Sequence, residues 1–243
     1  MRIIAIIQAR MGSTRSPGKV LMDLGGKSVL SRVVDRLRRA KRLDEVVVAT
    51  TNSDADDAIV RECHQLKVGY FRGSENDVLD RYQRAARACA AQVVVRITSD
   101  CPLIDPELVD ETIGAFQQQR ADYGSNVFPR TYPRGLDIEV FTTAALEQAW
   151  NDAQEAYQRE HVTPYFYEHP ELFRLASLRG QVDYSQYRWT LDTAEDLVLL
   201  RTIYARFFNR DDFSWTKVIR LMEHEPELAE LNSQVAQKAM QGA

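Results

Sequence analysis

RIIAIIQARMGSTRSPGK, residues 2–19, carries the reading of the fold. Its first part, RIIAIIQ at 2–8, is apolar at every position from Ile3 to Ile7. A half-exposed strand would alternate apolar with polar residues. An unbroken run rich in β-branched residues predicts a short strand covered on both faces, as in a parallel sheet. The remainder, ARMGSTRSPGK, switches abruptly to glycine, hydroxyl and cationic residues and reads as a loop at the strand's C-terminal end.

Outward from this stretch the pattern repeats. EVVVATT (45–51) and QVVVRI (92–97) predict further buried strands, with a short one at VGYF (68–71). Helices are predicted between them. Ser28 caps one through about Ala40, with Val29, Leu30, Val33, Val34 and Leu37 as its apolar stripe. Asp54 opens one to about Leu66, another covers Asp77 to Cys89, and Asp105-Pro106 supplies N-cap and first position for a helix ending near Gln118. Strand and helix alternating at this spacing predict a three-layer α/β fold with a mostly parallel sheet. Ligands in such sheets bind beyond the C-terminal strand ends.

The second half is less regular. Strands are expected at 121–127, at LDIEVF (136–141) and near 173–178. Helices are expected from Thr143 to Ala153, Arg159 to Glu168 and Thr193 to Phe207, then after Ser214 and over 226–240. With no linker evident, the expectation is one domain over 1–243. An antiparallel lobe within 128–190 would serve substrate binding or dimerisation.

The net charge of −4 lacks the global basic bias of many nucleic-acid binders, so no nucleic-acid partner is expected. Cys63, Cys89 and Cys101 include no CxxC and do not suggest a disulfide framework. Cys101 follows Asp100 but has no histidine near it in sequence, so filling space beside Asp100 competes with a nucleophilic role. The Ile3–Ile7 run is too short for a signal-peptide core or a membrane span, so no membrane association and a cytoplasmic location are expected.

The loop places Arg10, Arg15 and Lys19 among Gly12, Ser13, Ser16, Pro17 and Gly18. Backbone N–H groups and hydroxyls donate to phosphoryl oxygens, arginines offer forked contacts, and a lysine is a compact point charge. It is neither a Walker A loop nor GxGxxG. A solvated, charge-rich turn is the competing reading. Asp100, at the end of VVVRITSD, is the best-placed acid for a magnesium ion, with a turn-capping role as its rival. Asp192, in WTLD ahead of Thr193, is either a second metal ligand or part of a helix cap. Asp137 and Glu139 are expected on one face of a strand, near solvent, a cation or polar substrate. For Asp77, Arg81 and Tyr82 an exposed helix face with Tyr82 inward competes with a nucleotide-side role. His161 is either a substrate contact or a structural histidine.

The string IIQARMGSTRSPGKVL resembles the R-x-G-S-x-R-x-x-x-K signature of the cytidylyltransferases that make CMP-activated acidic sugars, such as the CMP-KDO and CMP-sialic acid synthetases. The chain is most similar to their SpsF-like branch, the spore coat polysaccharide biosynthesis protein F homologues. FRGSENDVLDRY (71–82), ITSDCPLID (97–105), YPRGLDIEVF (132–141), REHVTPY (159–165) and RWTLDTAEDL (188–197) extend the likeness in order.

The resemblance implies a Rossmann-like nucleotide-diphospho-sugar transferase (GT-A-like) fold with a mixed, mostly parallel sheet. It implies a homodimer that uses CTP, Mg2+ and an anionic small-molecule acceptor for polysaccharide or surface-glycan precursors. Arg10, Lys19 and Asp100 would be catalytic, and Asp100 with Asp192 would bind the metal. Ala9, Arg10, Gly12, Ser13, Arg15, Lys19, Asp77, Arg81 and Thr98 would line the nucleotide side. Arg134, Asp137, Glu139, His161 and Arg188 would face the acceptor, with Arg130, Arg134 or Arg188 pairing its negative charge. VVRITSD departs from the Gln-Gly-Asp pattern of the CMP-KDO enzymes, which leaves cytosine selection open. A glycosyltransferase using Asp54-Ala55-Asp56 as a D-x-D pair is the main rival, and a non-enzymatic nucleotide-binding protein is another.

Overall fold

The structure is a computed structural model that describes residues 1–13 and 16–236. Arg15 and the last part of the helix expected over 226–240 lie outside the described residues. One seven-stranded sheet runs through the centre: β1 (Ile3–Gln8), β2 (Glu45–Thr51), β3 (Gly69–Gly73), β4 (Val93–Thr98), β5 (Tyr123–Ser125), β6 (Glu139–Thr142) and β7 (Leu175–Ser177). Their spatial order is β3-β2-β1-β4-β6-β5-β7. β1 pairs in parallel with β2 and β4, and β2 with β3. β6 is antiparallel to both β4 and β5, while β7 is parallel to β5.

Burial explains the apolar strands. Ile3, Ala5 and Ile7 join a core beneath α1 (Val29–Leu37), α2 (Asp57–Leu66) and α4 (Pro106–Gln118), which α8 (Ala194–Arg206) and α9 (Trp215–His224) also enter. Ile4 and Ile6 face a second core with α3 (Val78–Ala88), α5 (Thr143–Asp152) and α7 (Pro164–Glu168), and α6 (Ala156–His161) packs beside α3 and α7. Two helical layers thus cover one sheet, and the strands cannot alternate apolar with polar.

The second half differs from its expectation in detail. LDIEVF becomes a strand only at Glu139, and it runs inside the main sheet rather than in a separate lobe. β7 joins the same sheet at its edge. The helix expected over 159–168 is two helices. Val162, at φ 73, ends α6, and Pro164 starts α7 at a position where no backbone donor is needed. Ser214 precedes α9 without capping it. Its hydroxyl meets Thr216, and the Trp215 N–H is taken by Asp105 of the α4 N-cap. Among the described residues after α9, only Glu227–Glu230 is helical, as α10.

The chain leaves β1 and β4 in opposite directions across the sheet, so their C-terminal ends flank a topological switch point. That is where open α/β sheets bind ligands. β1 delivers Gln8-Ala9-Arg10 there, and β4 delivers Thr98-Ser99-Asp100. Among the described residues no helix is long and apolar enough to cross a membrane.

Candidate active site

A crevice of about 280 Å3 opens at the switch point, walled by Arg10, Ser13, Lys19, Arg81, Asp100 and Asp192. Ala9, Thr98 and His161 also line it, as sequence predicts. Gln8, Val78, Ser99 and Glu160 line it too, and sequence reasoning did not single them out.

The loop after β1 is anchored from below. Asp56 is 1% exposed and accepts the Met11 N–H at 2.7 Å through one oxygen. Its other oxygen accepts the Thr51 N–H and the Thr50 and Thr51 hydroxyls. Burial alone would raise this carboxyl, but the hydrogen bonds, led by that of Thr51, outweigh it and hold it below the usual carboxylate range. This commitment removes Asp56 from any D-x-D metal pair, and with it the sequence basis of the glycosyltransferase reading. Gly18, at φ 71, makes the left-handed turn that aims Lys19 inward.

Lys19 sits at the start of a single 3-10 turn, 9% exposed. Its ammonium donates to Asp100 Oδ2 at 2.6 Å, Asp192 Oδ1 at 2.8 Å and the Leu191 carbonyl at 2.8 Å. Burial would lower its pKa, but the two carboxylates more than offset that and raise it. Asp192 reaches Asp100 because backbone ties carry it there. The Leu191 N–H donates to the Asp100 carbonyl at 2.8 Å, and the Thr190 hydroxyl donates to the same oxygen. The capping question at Asp192 is settled by its neighbours: Thr193 is the N-cap of α8 and Asp196 completes the capping box. Asp192 is thereby left to face Lys19.

Arg188 turns out to be a holder of these acids. Its guanidinium donates to Asp192 Oδ2 at 2.7 Å and to both oxygens of the fully buried Asp196. Asn232 adds a further donor to Asp196, a contribution invisible in sequence. Arg188 therefore positions Asp192, in place of the acceptor contact expected of it.

Three other expected site residues are placed elsewhere. Asp77 is the N-cap of α3 and pairs with Arg159 at 2.7 Å, so its carboxylate is spent on structure. Glu139 is 6% exposed, pairs with Arg96, and accepts the Tyr123 hydroxyl at 2.7 Å. Asp137 precedes β6 and binds Arg130 through both oxygens at 2.6 and 2.8 Å. The two acids do not share a strand face, because the strand begins later than the alternation suggests. Arg130 is spoken for by the same contact. Gly12 is exposed on the loop and is not part of the crevice wall.

Arg10 and Arg134 differ from Lys19, Arg81, Arg130 and Arg188, whose side chains are hydrogen-bonded. Among the described residues neither guanidinium has a hydrogen bond or ion pair. Burial, then Arg130, lowers the pKa of Arg134. A cation crowded by another cation is a site for an anion. Arg134 lines a second cavity of about 320 Å3 with Tyr187, Arg188, Trp189 and Asn232. Cys101 is 3% exposed, and burial followed by Asp100 pushes its thiol well up, which makes it a poor nucleophile. No cluster of three or more His, Cys, Asp or Glu suited to a metal occurs among the described residues.

The sequence profile of the cytidylyltransferases matches residues 4–239. The chain belongs to the cytidylyltransferase family. It is 39% identical to the spore coat polysaccharide biosynthesis protein SpsF of Bacillus subtilis, over 93% of this chain and 96% of that protein. A cytidylyltransferase structure from Leptospira borgpetersenii superposes with a TM-score of 0.91 at 36% identity, covering 98% of this chain and 99% of that one. A CMP:2-keto-3-deoxy-manno-octonic acid synthetase in complex with CTP shares the fold, with a TM-score of 0.64 at 17% identity over 85% of this chain and 99% of the other. The cytidylyltransferase thus has the loop after β1, the acid pair and the switch point at one crevice.

Proposed function

We propose that this cytidylyltransferase transfers CMP from CTP to an oxygen of an acidic sugar or related anionic acceptor, releasing pyrophosphate, to make a precursor of a surface polysaccharide. The observation that carries it is the convergence of Lys19, Asp100 and Asp192 beside an unpaired Arg10 at the switch point. The acceptor oxygen attacks the α-phosphorus. The new P–O bond forms as the bridge to the β-phosphorus breaks, and the acceptor's proton passes to solvent. Arg10 holds the β- and γ-phosphates, and Lys19 turns from the acids to the growing charge on the leaving pyrophosphate.

The acid pair fits magnesium, because both carboxylates already meet one cation at a single point and would supply the oxygen ligands that this ion takes. Bound there, magnesium would neutralise the phosphates and lower the pKa of the attacking hydroxyl. Arg188, braced by Asp196, keeps Asp192 aimed at that point. Arg134 meets the negative group of the acceptor. We place the enzyme in the cytoplasm as a homodimer. The exposed Phe128, Leu172 and Leu175 beside edge strand β7 support such a contact.

The test is pyrophosphate release with each of four nucleoside triphosphates, magnesium, and a panel of acidic sugars and phosphonates. Release is expected with CTP and one acidic acceptor class. No release with any pair, alongside cleavage of a nucleotide sugar, would sink the proposal.

A further inference from the structure

One polar side chain in the crevice has no partner in the described fold. Gln8, the last residue of β1, lines the crevice, and its carboxamide oxygen is buried with no hydrogen bond. Natural folds rarely leave such a group unmade. Strand alternation puts Gln8 on the face of Ile4 and Ile6, toward α3. Its register with Thr98 sets it at the depth where β4 runs into Ser99 and Asp100. β4 itself presents only the Thr98 hydroxyl at that level.

α3 contributes Arg81 to the same crevice. It is 2% exposed, with one terminal nitrogen donating to the Ser74 carbonyl and Nε left without a partner. An unmade acceptor and an unmade donor therefore share one wall, with the apolar Val78 beside them.

We propose that Gln8 selects the base: its carboxamide oxygen accepts from the exocyclic amine of a 4-aminopyrimidine while Arg81 donates to the ring's N3 or O2. The amide turns about its terminal torsion at little cost, which brings the buried oxygen to face the ring. Cytosine presents a donor beside two acceptors. Uracil carries an acceptor in place of the amine and a donor at N3, so the Gln8 contact and an Arg81 contact at N3 are lost, while a contact at O2 is kept. This assignment rests on the CTP reading above.

The experiment is calorimetric titration of the full chain with CTP and with UTP in magnesium buffer, for the unaltered protein, Gln8→Met and Gln8→Glu. Methionine keeps length and removes the amide. Glutamate keeps an acceptor but sits closer in charge to the triphosphate. The unaltered chain should prefer CTP. Gln8→Met should cut the CTP-to-UTP affinity ratio about tenfold. Gln8→Glu should keep the ratio within about threefold of the unaltered chain while binding both nucleotides more weakly. The ratio is unmoved by a general loss of affinity, so it separates base reading from damage to the strand. A preference for CTP that survives Gln8→Met overturns the role of Gln8 alone. A ratio that collapses equally in Gln8→Glu overturns it too. No preference for CTP in the unaltered chain overturns both this assignment and the cytidine reading.

Discussion

Replacing Lys19 by methionine should make the stability of this protein depend on magnesium. In the described fold the ammonium lies 2.6 Å from Asp100 and 2.8 Å from Asp192, with side chains 11%, 22% and 11% exposed. Lys19→Met keeps the stem and deletes the charge, leaving two carboxylates facing each other across roughly 5 Å. At an effective dielectric near 20 their repulsion is about 3 kcal/mol. Loss of one partner from a buried ionic group costs about 3–5 kcal/mol in general. Arg188 still holds Asp192, so the lower end applies, about 3 kcal/mol. At about 2–4 °C per kcal/mol for a chain of this size, Tm should fall by about 6–12 °C.

Magnesium then enters at the point the ammonium vacated. At one hundred times its dissociation constant a ligand of the folded state returns about 2.7 kcal/mol, nearly the whole loss. In the unaltered chain without nucleotide, Lys19 competes for the same oxygens and the magnesium effect should be under about 2 °C. The assay is a thermal melt at pH 7.5, with and without magnesium, against sodium chloride of equal ionic strength. That pH is suitable on linkage grounds. The Lys19 pKa is raised above 10.5 in the fold, so its contribution is complete below 10.5 and is lost only as pH rises through the higher, folded value. The reasoning is refuted if Lys19→Met melts with the unaltered chain, if magnesium shifts both equally, or if sodium chloride does the same.

Five further substitutions have outcomes set by the geometry. Asp100→Asn should lower kcat by at least about 100-fold with the fold intact by circular dichroism, because a neutral amide does not hold a divalent cation beside phosphates. Arg134→Gln should raise the acceptor KM with kcat little changed, whereas Arg188→Lys should lower kcat, since a lysine does not fork between Asp192 and Asp196. Asp56→Asn should cost about 2–3 kcal/mol at pH 7 and raise the CTP KM by loosening Met11. Asp56 titrates below 3.8 in the fold, so its stabilisation is present above 3.8 and lost as pH falls through the folded value. The gap between variant and parent in denaturant melts should therefore close below that pH. Gly135→Ala should destabilise by about 3 kcal/mol in the same melts, because φ there is 102 and a Cβ would lie 2.6 Å from the Trp189 carbonyl carbon.

The first half of the fold is legible because β1, β2 and β4 are covered on both faces, which gives each a run of at least three consecutive apolar residues. The second half is harder because β5, β6 and β7 have three or four residues each, too few for a period to register. The start of β6 shows the consequence. LDIEVF alternates from Leu136, yet Asp137 is held outside the strand by Arg130, and the error carried Glu139 into a pocket it does not line. Residue types at strand ends were readable: Arg10, Lys19 and Asp100 all reach the crevice. Which charge answers which was not. Asp77 is spent on Arg159, eighty-two positions away, and Arg188 on Asp192, four positions away but outside any helix, so spacing alone reveals neither pair.

That limit bears on how the site works. Phosphate loops and metal acids are usually read as separate devices, one for the nucleotide and one for the cation. Here they share an atom position. Lys19 neutralises Asp100 and Asp192 in the described fold, so two acids can stand together without a metal, and in the proposed mechanism the same lysine would be the cation that meets the leaving pyrophosphate. Entry of a metal nucleotide then need not create charge balance from nothing. On the proposed mechanism it would exchange one cation between the acids for another and free the first to turn toward the phosphates. A site built this way holds its acids close in the absence of nucleotide and has its phosphate ligand already within reach. The cost is that either substitution, at the lysine or at an acid, disturbs both halves at once. For that reason single-site effects on magnesium and on CTP binding should prove non-additive in the Lys19→Met, Asp192→Asn pair.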